Sequence, residues 1–237
     1  NISSSFAATL PEEKIFSLLA RWQHPDGLTQ LSAARRQGYA DTTPVLLTHD
    51  QRIDNRLRWY AELGRQLAKL PVDPRLGRML LAAQREGCLR EALIVVAALA
   101  IQDPRERPLE RQQAADEKHR RFRDEHSDFL ALLKLWDYYH DQARQLSKNQ
   151  LRNLCQSDFL SFVRMREWHD LHQELLGRIT EMGMRLSEEP ASYANLHRAL
   201  LTGLLGHLGL KQEENLYLGA RGRNFYLFPG SGLFKKR

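Results

Sequence analysis

His169 and His172 stand three residues apart, with Asp170 and Glu174 beside them, and on a helix that spacing places both imidazoles on one face. A metal would need ligands from elsewhere, because no HExxH pattern completes the set. The expectation is therefore two packing or surface histidines and no metal site. Cys88 and Cys155 lie outside any CxxC or Cys/His spacing, which fits reduced thiols in a cytoplasm better than zinc or a disulfide framework. Asp116-Glu117-Lys118-His119 has the residue types of a magnesium-holding box. Such a box needs an apolar strand ahead of it, and here Arg111-Gln112-Gln113-Ala114-Ala115 precedes it, so a solvated helix face is predicted. No GxxxxGK[ST] or GxGxxG loop is present to cradle a nucleotide. Gly230-Ser231-Gly232 lacks the GxSxG elbow of hydrolases. Neither a catalytic residue nor a cofactor site is expected in this chain.

Basic residues are the other chemical signal. The 35 Lys+Arg exceed the 29 Asp+Glu for a net charge of +6, and 27 of the cations are Arg against 8 Lys. The planar guanidinium fork suits phosphate or a buried carboxylate, so nucleic acid is favoured over a membrane surface as the anionic partner. Arg120, Arg121 and Arg123 sit together in a charged stretch, with Arg105 and Arg107 just ahead of it. These could contact nucleic acid or simply pair with Glu117, Asp124 and Glu125. Arg221 and Arg223 flank Gly222, with Asn224, Phe225 and Tyr226 following and Lys235 and Lys236 further on. That mixture of cations, open backbone and aromatics is what single-strand binders use.

The elements that must position these residues read as mainly α. With 237 residues and 42% apolar content, the chain can bury one large core or several small ones. The longest apolar run, Ala92 to Ile101, is about half of a bilayer-spanning helix, and Asn1 to Ser5 carry no basic n-region followed by an apolar stretch, so no signal peptide is expected there. Residues 1–72 read as two helices followed by a hairpin (Pro44 to Thr48 returning at Arg56 to Tyr60), the order of a small winged-helix domain. Residues 73–209 read as a helical bundle. Asp73-Pro74 caps a helix ending at Gly87; Leu89 to Ile101 is the central buried helix; Leu109 to Glu125 is a charged helix. Ser127 caps a helix with Phe129, Leu132, Leu133, Trp136 and Tyr139 inward, and Ser147 starts a short one. Phe159 to Met182 is long and amphipathic, with Leu160, Val163, Trp168, Leu171, Leu175 and Ile179 on its stripe. Tyr193 to Leu208 is the last helix. Residues 210–237 read as the first strands of a β domain, Leu216 to Leu218 and Asn224 to Phe228, too few to close a sheet.

Four strings exceed what composition explains: Glu62 to Ala83 (ELGRQLAKLPVDPRLGRMLLAA), Ala98 to Pro108 (ALAIQDPRERP), Ala114 to Trp136 and Phe228 to Lys236 (FPGSGLFKK). In order and spacing they resemble the C-terminal region of DEAH-box RNA helicases of the bacterial HrpA type, from about Arg56 onward. The resemblance implies a winged helix, a helical ratchet-like (helicase-associated) domain and the opening strands of an incomplete OB-fold. The two RecA-like motor domains, with the ATP and magnesium that they use, would lie elsewhere in the parent chain. It further implies a monomeric, cytoplasmic RNA-binding accessory region that packs on the motor and walls a channel for single-stranded RNA. Arg221, Arg223, Asn224 and Ser231 would contact the strand, and Arg120, Arg121 and Arg123 less directly. Pro71, Asp73, Arg75, Asp103, Arg105 and Arg107 fall in segments that look like interdomain packing signatures. A protein-interaction or regulatory module of the same ancestry is the alternative.

Overall fold

A computed structural model describes residues 61–234. The predicted hairpin and most of the winged-helix reading lie outside these residues, as do Lys235 and Lys236. Residues 61–67 are helical, and the described residues fall into two compact units that meet in sequence between Lys69 and Leu70.

From Leu70 on, local sequence signals start and stop most helices. α1 (Pro74–Glu86) is capped by Asp73, whose carboxylate accepts from the Arg75 N–H, and ends at Gly87 with φ 67°, a left-handed conformation that suits glycine. α2 (Leu89–Ala100) is buried on almost every side, as an apolar run without polar stripe must be. It touches α1, α4 (Asp128–Gln145), α6 (Phe162–Glu181) and α7 (Tyr193–Leu201). Ser127 caps α4, and Ser147 with Gln150 forms a capping box on α5 (Lys148–Ser157). The core under these helices is built from Leu80, Leu93, Leu132, Leu135, Met165, Trp168, Leu175, Ile179 and Leu200. The Trp168 indole N–H donates to the Ile94 carbonyl at 2.9 Å, so α6 is tied to the backbone of the central helix as well as packed on it.

Four expectations are corrected. Leu109 to Glu125 is not one helix: a 3-10 turn at Leu109–Arg111, α3 (Gln112–His119) and a second 3-10 turn at Arg120–Phe122 follow one another, and Arg123 is extended. Only Ala115 and Phe122 are buried there, too little apolar surface to hold a continuous helix. The stripe of α6 is Met165, Trp168, Leu175 and Ile179, while Val163 is 70% exposed. Ser161 caps the helix after Phe159 and Leu160 have already left the helical path, so the turn count begins later. α7 stops at Leu201 rather than Leu208. Gly203 lies so close to α1 that a Cβ would stand 2.3 Å from the Arg75 carbonyl oxygen, and the chain then turns through a 3-10 segment at Leu205–His207. Finally, Gly209 does not end a helix but opens a strand.

That strand, β1 (Gly209–Lys211), pairs antiparallel with β2 (Leu216–Gly219), which pairs antiparallel with β3 (Asn224–Tyr226). Register sets Gly209 against Gly219, Lys211 against Tyr217 and Tyr217 against Phe225, so these five share one face.

Candidate nucleic-acid interface

Glycine opens the face of this sheet for aromatic rings. The Phe225 ring lies over Gly209 and Gly219, where a Cβ would stand 2.3 Å and 3.1 Å from ring atoms. It stacks on Tyr217 across the strands, centroids 5.6 Å apart and planes at 20°. Lys211, Asn224 and Phe225 are exposed, and Tyr226 is 72% exposed on the opposite face. Between β2 and β3 the chain turns through Arg221 (φ 60°) and Gly222 (φ 72°). A left-handed arginine is unusual and costs conformational energy of order 1 kcal/mol. Among the described residues neither the Arg221 nor the Arg223 guanidinium is in an ion pair, and both residues are exposed. Arg221 and Arg223 thus bracket the exposed turn, and on β3 Asn224 and Tyr226 lie on the face opposite Phe225.

Ser231 does not join them. It is 4% exposed, and its hydroxyl donates to Asp128 Oδ2 at 2.6 Å. A serine spent on a buried carboxylate cannot present its hydroxyl to an exposed strand, so its role as a contact is withdrawn.

The arginines near α3 divide. Arg120 pairs with Glu117 at 2.7 Å on the surface, as the pairing alternative held. Arg121 instead reaches across to Asp158 and lies over the rings of Phe122 and Tyr138, 4.7 Å and 4.2 Å from their centroids. Asp158 is 2% exposed and also takes the Tyr138 hydroxyl at 2.7 Å and Lys118 Nζ at 3.3 Å. Burial pushes its carboxyl up, yet the hydrogen bonds from Tyr138 and Arg121 and the Arg121 charge outweigh burial and leave it below the usual carboxylate range. The same burial and partnership push the Tyr138 hydroxyl up to about 12. Arg123 is exposed, and its carbonyl accepts from Lys134.

The packing candidates share one local device. Asp73 and Asp103 each begin an Asp-Pro-Arg triplet and accept from the backbone N–H and the guanidinium Nε of the arginine two residues on. The first starts α1. The second is pinned as a loop, since Ser161 N–H donates to the Pro104 carbonyl and Glu106 N–H to the Phe159 carbonyl, both at 2.8 Å. Arg107 is held bidentate by Asp116, which occupies the supposed magnesium-box aspartate with a salt bridge on α3. Pro71 is exposed ahead of α1.

Two histidine arrangements were illegible from local motifs. His140 on α4 joins His169 and His172 of α6 around the Trp136 ring. His140 Nδ1–H donates to the Trp136 carbonyl at 2.9 Å, which leaves its Nε2 lone pair to accept from His169 Nδ1–H at 3.0 Å. Burial, then the neighbouring imidazoles His140 and His169, depress the pKa of His172 to about 4. Among the described residues no group of three or more His, Cys, Asp or Glu is placed to hold a metal ion. Ser127 Oγ lies 2.6 Å from His197 Nε2, while His197 Nδ1–H donates to the Tyr193 carbonyl. Both side chains are buried, so this Ser-His pair closes the N-terminus of α4 against α7 and offers no reachable nucleophile. The thiols of Cys88 and Cys155 are likewise buried and free, and burial pushes them up to about 12 and about 11. No described helix is long and apolar enough to cross a membrane.

Comparison with known proteins assigns the helical part. Residues 73–132 match the family described as "Helicase associated domain (HA2), ratchet-like". Residues 1–69 match the family described as "PelB, C-terminal beta barrel domain", with the boundary close to the division between Lys69 and Leu70. The chain is 56% identical over 175 residues to the ATP-dependent RNA helicase HrpA of Escherichia coli (strain K12), a stretch that is 73% of this chain and 14% of that protein. It is 54% identical over 181 residues to the HrpA homolog of Haemophilus influenzae, 76% of this chain and 14% of that protein. The DExH-box ATP-dependent RNA helicase DExH1 of Arabidopsis thaliana is 38% identical over 132 residues, 55% of this chain and 13% of that protein. The chain thus spans about one seventh of the length of its bacterial relatives. Over the part that these matches cover, it belongs to the C-terminal region of the HrpA-type DEAH-box RNA helicases.

Proposed function

We propose that the chain, from Leu70 on, is an RNA-binding accessory region of an ATP-dependent RNA helicase, holding single-stranded RNA through its backbone and packing on RecA-like motor domains. The observation that carries this reading is the exposed turn of Arg221 and Arg223, in no ion pair among the described residues, beside the Tyr217 and Phe225 stack. Guanidinium groups there meet phosphates, and the rings offer stacking faces that do not discriminate sequence. The strands belong to an OB-fold. ATP and magnesium act on the motor, and this region supplies none of their ligands. The region works as a monomer in the cytoplasm, consistent with its free, buried thiols.

Fluorescence anisotropy on two unrelated oligoribonucleotides across a salt series tests the reading. Each arginine that neutralises a phosphate contributes about 0.7 to the log-affinity against log-salt slope on single strands. The double change Arg221→Ala with Arg223→Ala should flatten it by about 1.4 on both oligonucleotides. An unchanged slope and affinity would remove RNA from this turn.

A second reading, a protein-facing surface, is favoured by a groove of about 650 Å³ between α2, α5 and α6. Val163 is 70% exposed at its wall, beside Ile101 and Phe162. Val163→Asp should leave RNA binding untouched and abolish any protein contact made there.

A further inference from the structure

The FPGSGLF string sits beyond β3, where the sequence pointed to RNA contact, but its polar groups turn inward. Asp128, in the first turn of α4 and 4% exposed, uses both carboxylate oxygens on consecutive residues. Ser231 Oγ–H donates to Oδ2 at 2.6 Å, and Gly232 N–H donates to Oδ1 at 2.9 Å. The Leu233 N–H then donates to Ser231 Oγ at 3.1 Å, and the Ser231 N–H closes a turn on the Phe228 carbonyl at 2.9 Å. Gly232 is pressed against the loop before α4: a Cβ would stand 2.1 Å from the Asp124 carbonyl oxygen. No other residue fits without displacing backbone. Leu227, next to β3, is buried at the same end.

The strands themselves pair chiefly with one another. The sheet is tied to the helices at two ends. The first is the close approach of Gly203 to α1 ahead of β1, and the second is the hold on Ser231 and Gly232 after β3. We infer that Asp128 is a positioning residue: it latches residues 231–232 to α4 and thereby fixes how the Arg221 and Arg223 turn is presented. The latch stands on the geometry above, while its effect on RNA rests on the function proposed for that turn.

Two readouts separate the parts. Hydrogen exchange followed by NMR or mass spectrometry reports the latch itself. Asp128→Ala should speed exchange at the Gly232 and Leu233 amides at least tenfold while the amides of α2 keep their protection. Gly232→Ala should act in the same direction. Ser231→Ala, which leaves α4 intact and keeps the Gly232 bond, should speed exchange at Leu233, whose amide loses its acceptor, and change Gly232 less than Asp128→Ala does, which guards against simple loss of α4. Unchanged exchange at 232 and 233 in Asp128→Ala would overturn the latch whatever RNA does.

A double-mutant cycle reports the coupling. Asp128→Ala should weaken RNA binding about three- to tenfold in the wild-type background and not at all when Arg221 and Arg223 are already alanine. Asp128→Asn, which keeps an acceptor for Gly232, should recover part of the loss. Equal losses in both backgrounds would overturn positioning through the turn. RNA binding that never depended on Arg221 and Arg223 would overturn the proposed function and the coupling with it, while the exchange result would still decide whether Asp128 holds the segment.

Discussion

Arg121 and the pair Arg221 and Arg223 are the same residue type in similarly basic strings, yet the fold commits one and leaves the others open. Arg121 ends on a carboxylate that is 2% exposed and lies over two aromatic rings. Arg221 and Arg223 project from a strand turn without an ion pair among the described residues. The first arrangement joins α3 and the following turn to the end of α5 and costs desolvation that its partners offset. The second leaves charge in solvent, where it contributes little to stability and remains free for an anion. Partners far apart in sequence, here Asp158 for Arg121, separate an arginine of the fold from an arginine of the surface.

If the helical part is a cooperative unit to which groups like Arg121 are committed, the largest effect should come from breaking its centre. Val95 is fully buried in α2. Val95→Asp places an unpaired charge there, at a cost of several kcal/mol against a total of about 5 to 15 for a domain. Circular dichroism should show the helical signal lost or its melt greatly lowered. An unchanged midpoint would mean that α2 is not the centre of the fold.

Acid should act next, through His172. Its folded pKa, about 4, is depressed from the ordinary 6.5, so the unfolded chain binds the proton more readily. Stability is then fully present above about pH 6.5 and is lost as pH falls from there towards 4, by up to about 3 kcal/mol. His172→Phe keeps a ring against Trp136 and should flatten this dependence in chemical denaturation followed by tryptophan fluorescence. The same pH range should leave the strand turn unaffected, since no titrating group of that kind is buried there.

Asp158→Asn tests the committed arginine directly. The amide can still accept from Tyr138 but no longer carries the charge for Arg121 and Lys118, and the expected loss is about 2 kcal/mol. Its pH signature has the same sign as that of His172 but lies in more acid solution, below the ordinary carboxylate range. A carboxyl with a depressed folded pKa stabilises above its unfolded value and loses that contribution as pH falls through the folded one. The variant should therefore differ from wild type at pH 7 and converge with it in strong acid. Equal stability at pH 7 would mean that the buried Asp158 charge contributes nothing net to the fold, and the contrast with Arg221 would disappear.

Local chemistry made much of the fold legible. Asp73-Pro74, Ser127, Ser147 and Gly87 announce helix ends through bonds spanning two to five residues, and the apolar run of α2 cannot be anything but interior. What stayed hidden involves partners distant in sequence or a shift of a few residues. Asp158 with Arg121, His140 with His169, Ser127 with His197 and Asp128 with Ser231 are joined only when helices pack. β1 has three residues, Gly209, Leu210 and Lys211, too short to show alternation. Val163 falls on the inward stripe only if α6 is counted from Phe159 instead of from its Ser161 cap. At the candidate site, the turn at Arg221-Gly222 is local and shows in the sequence, whereas the burial of Ser231 depends on Asp128 in α4 and has no local signal.

The smallest expected effect on stability is at Arg221, and it is the most discriminating. Its φ of 60° puts an arginine where glycine is at ease. Arg221→Gly removes the charge and the strain together, while glycine adds freedom to the unfolded chain. These terms oppose, so thermal stability should stay within about 1 kcal/mol of wild type, with any change more favourable than in Arg221→Ala. The RNA salt slope should nevertheless fall by about 0.7, one phosphate's share. Arg121→Ala should do the reverse, lowering the melting midpoint and leaving the slope in place. If Arg221→Gly instead destabilised the protein by more than Arg121→Ala, the turn would be held by its side chain as firmly as α3 is, and the strained arginine would belong to the fold rather than to a ligand.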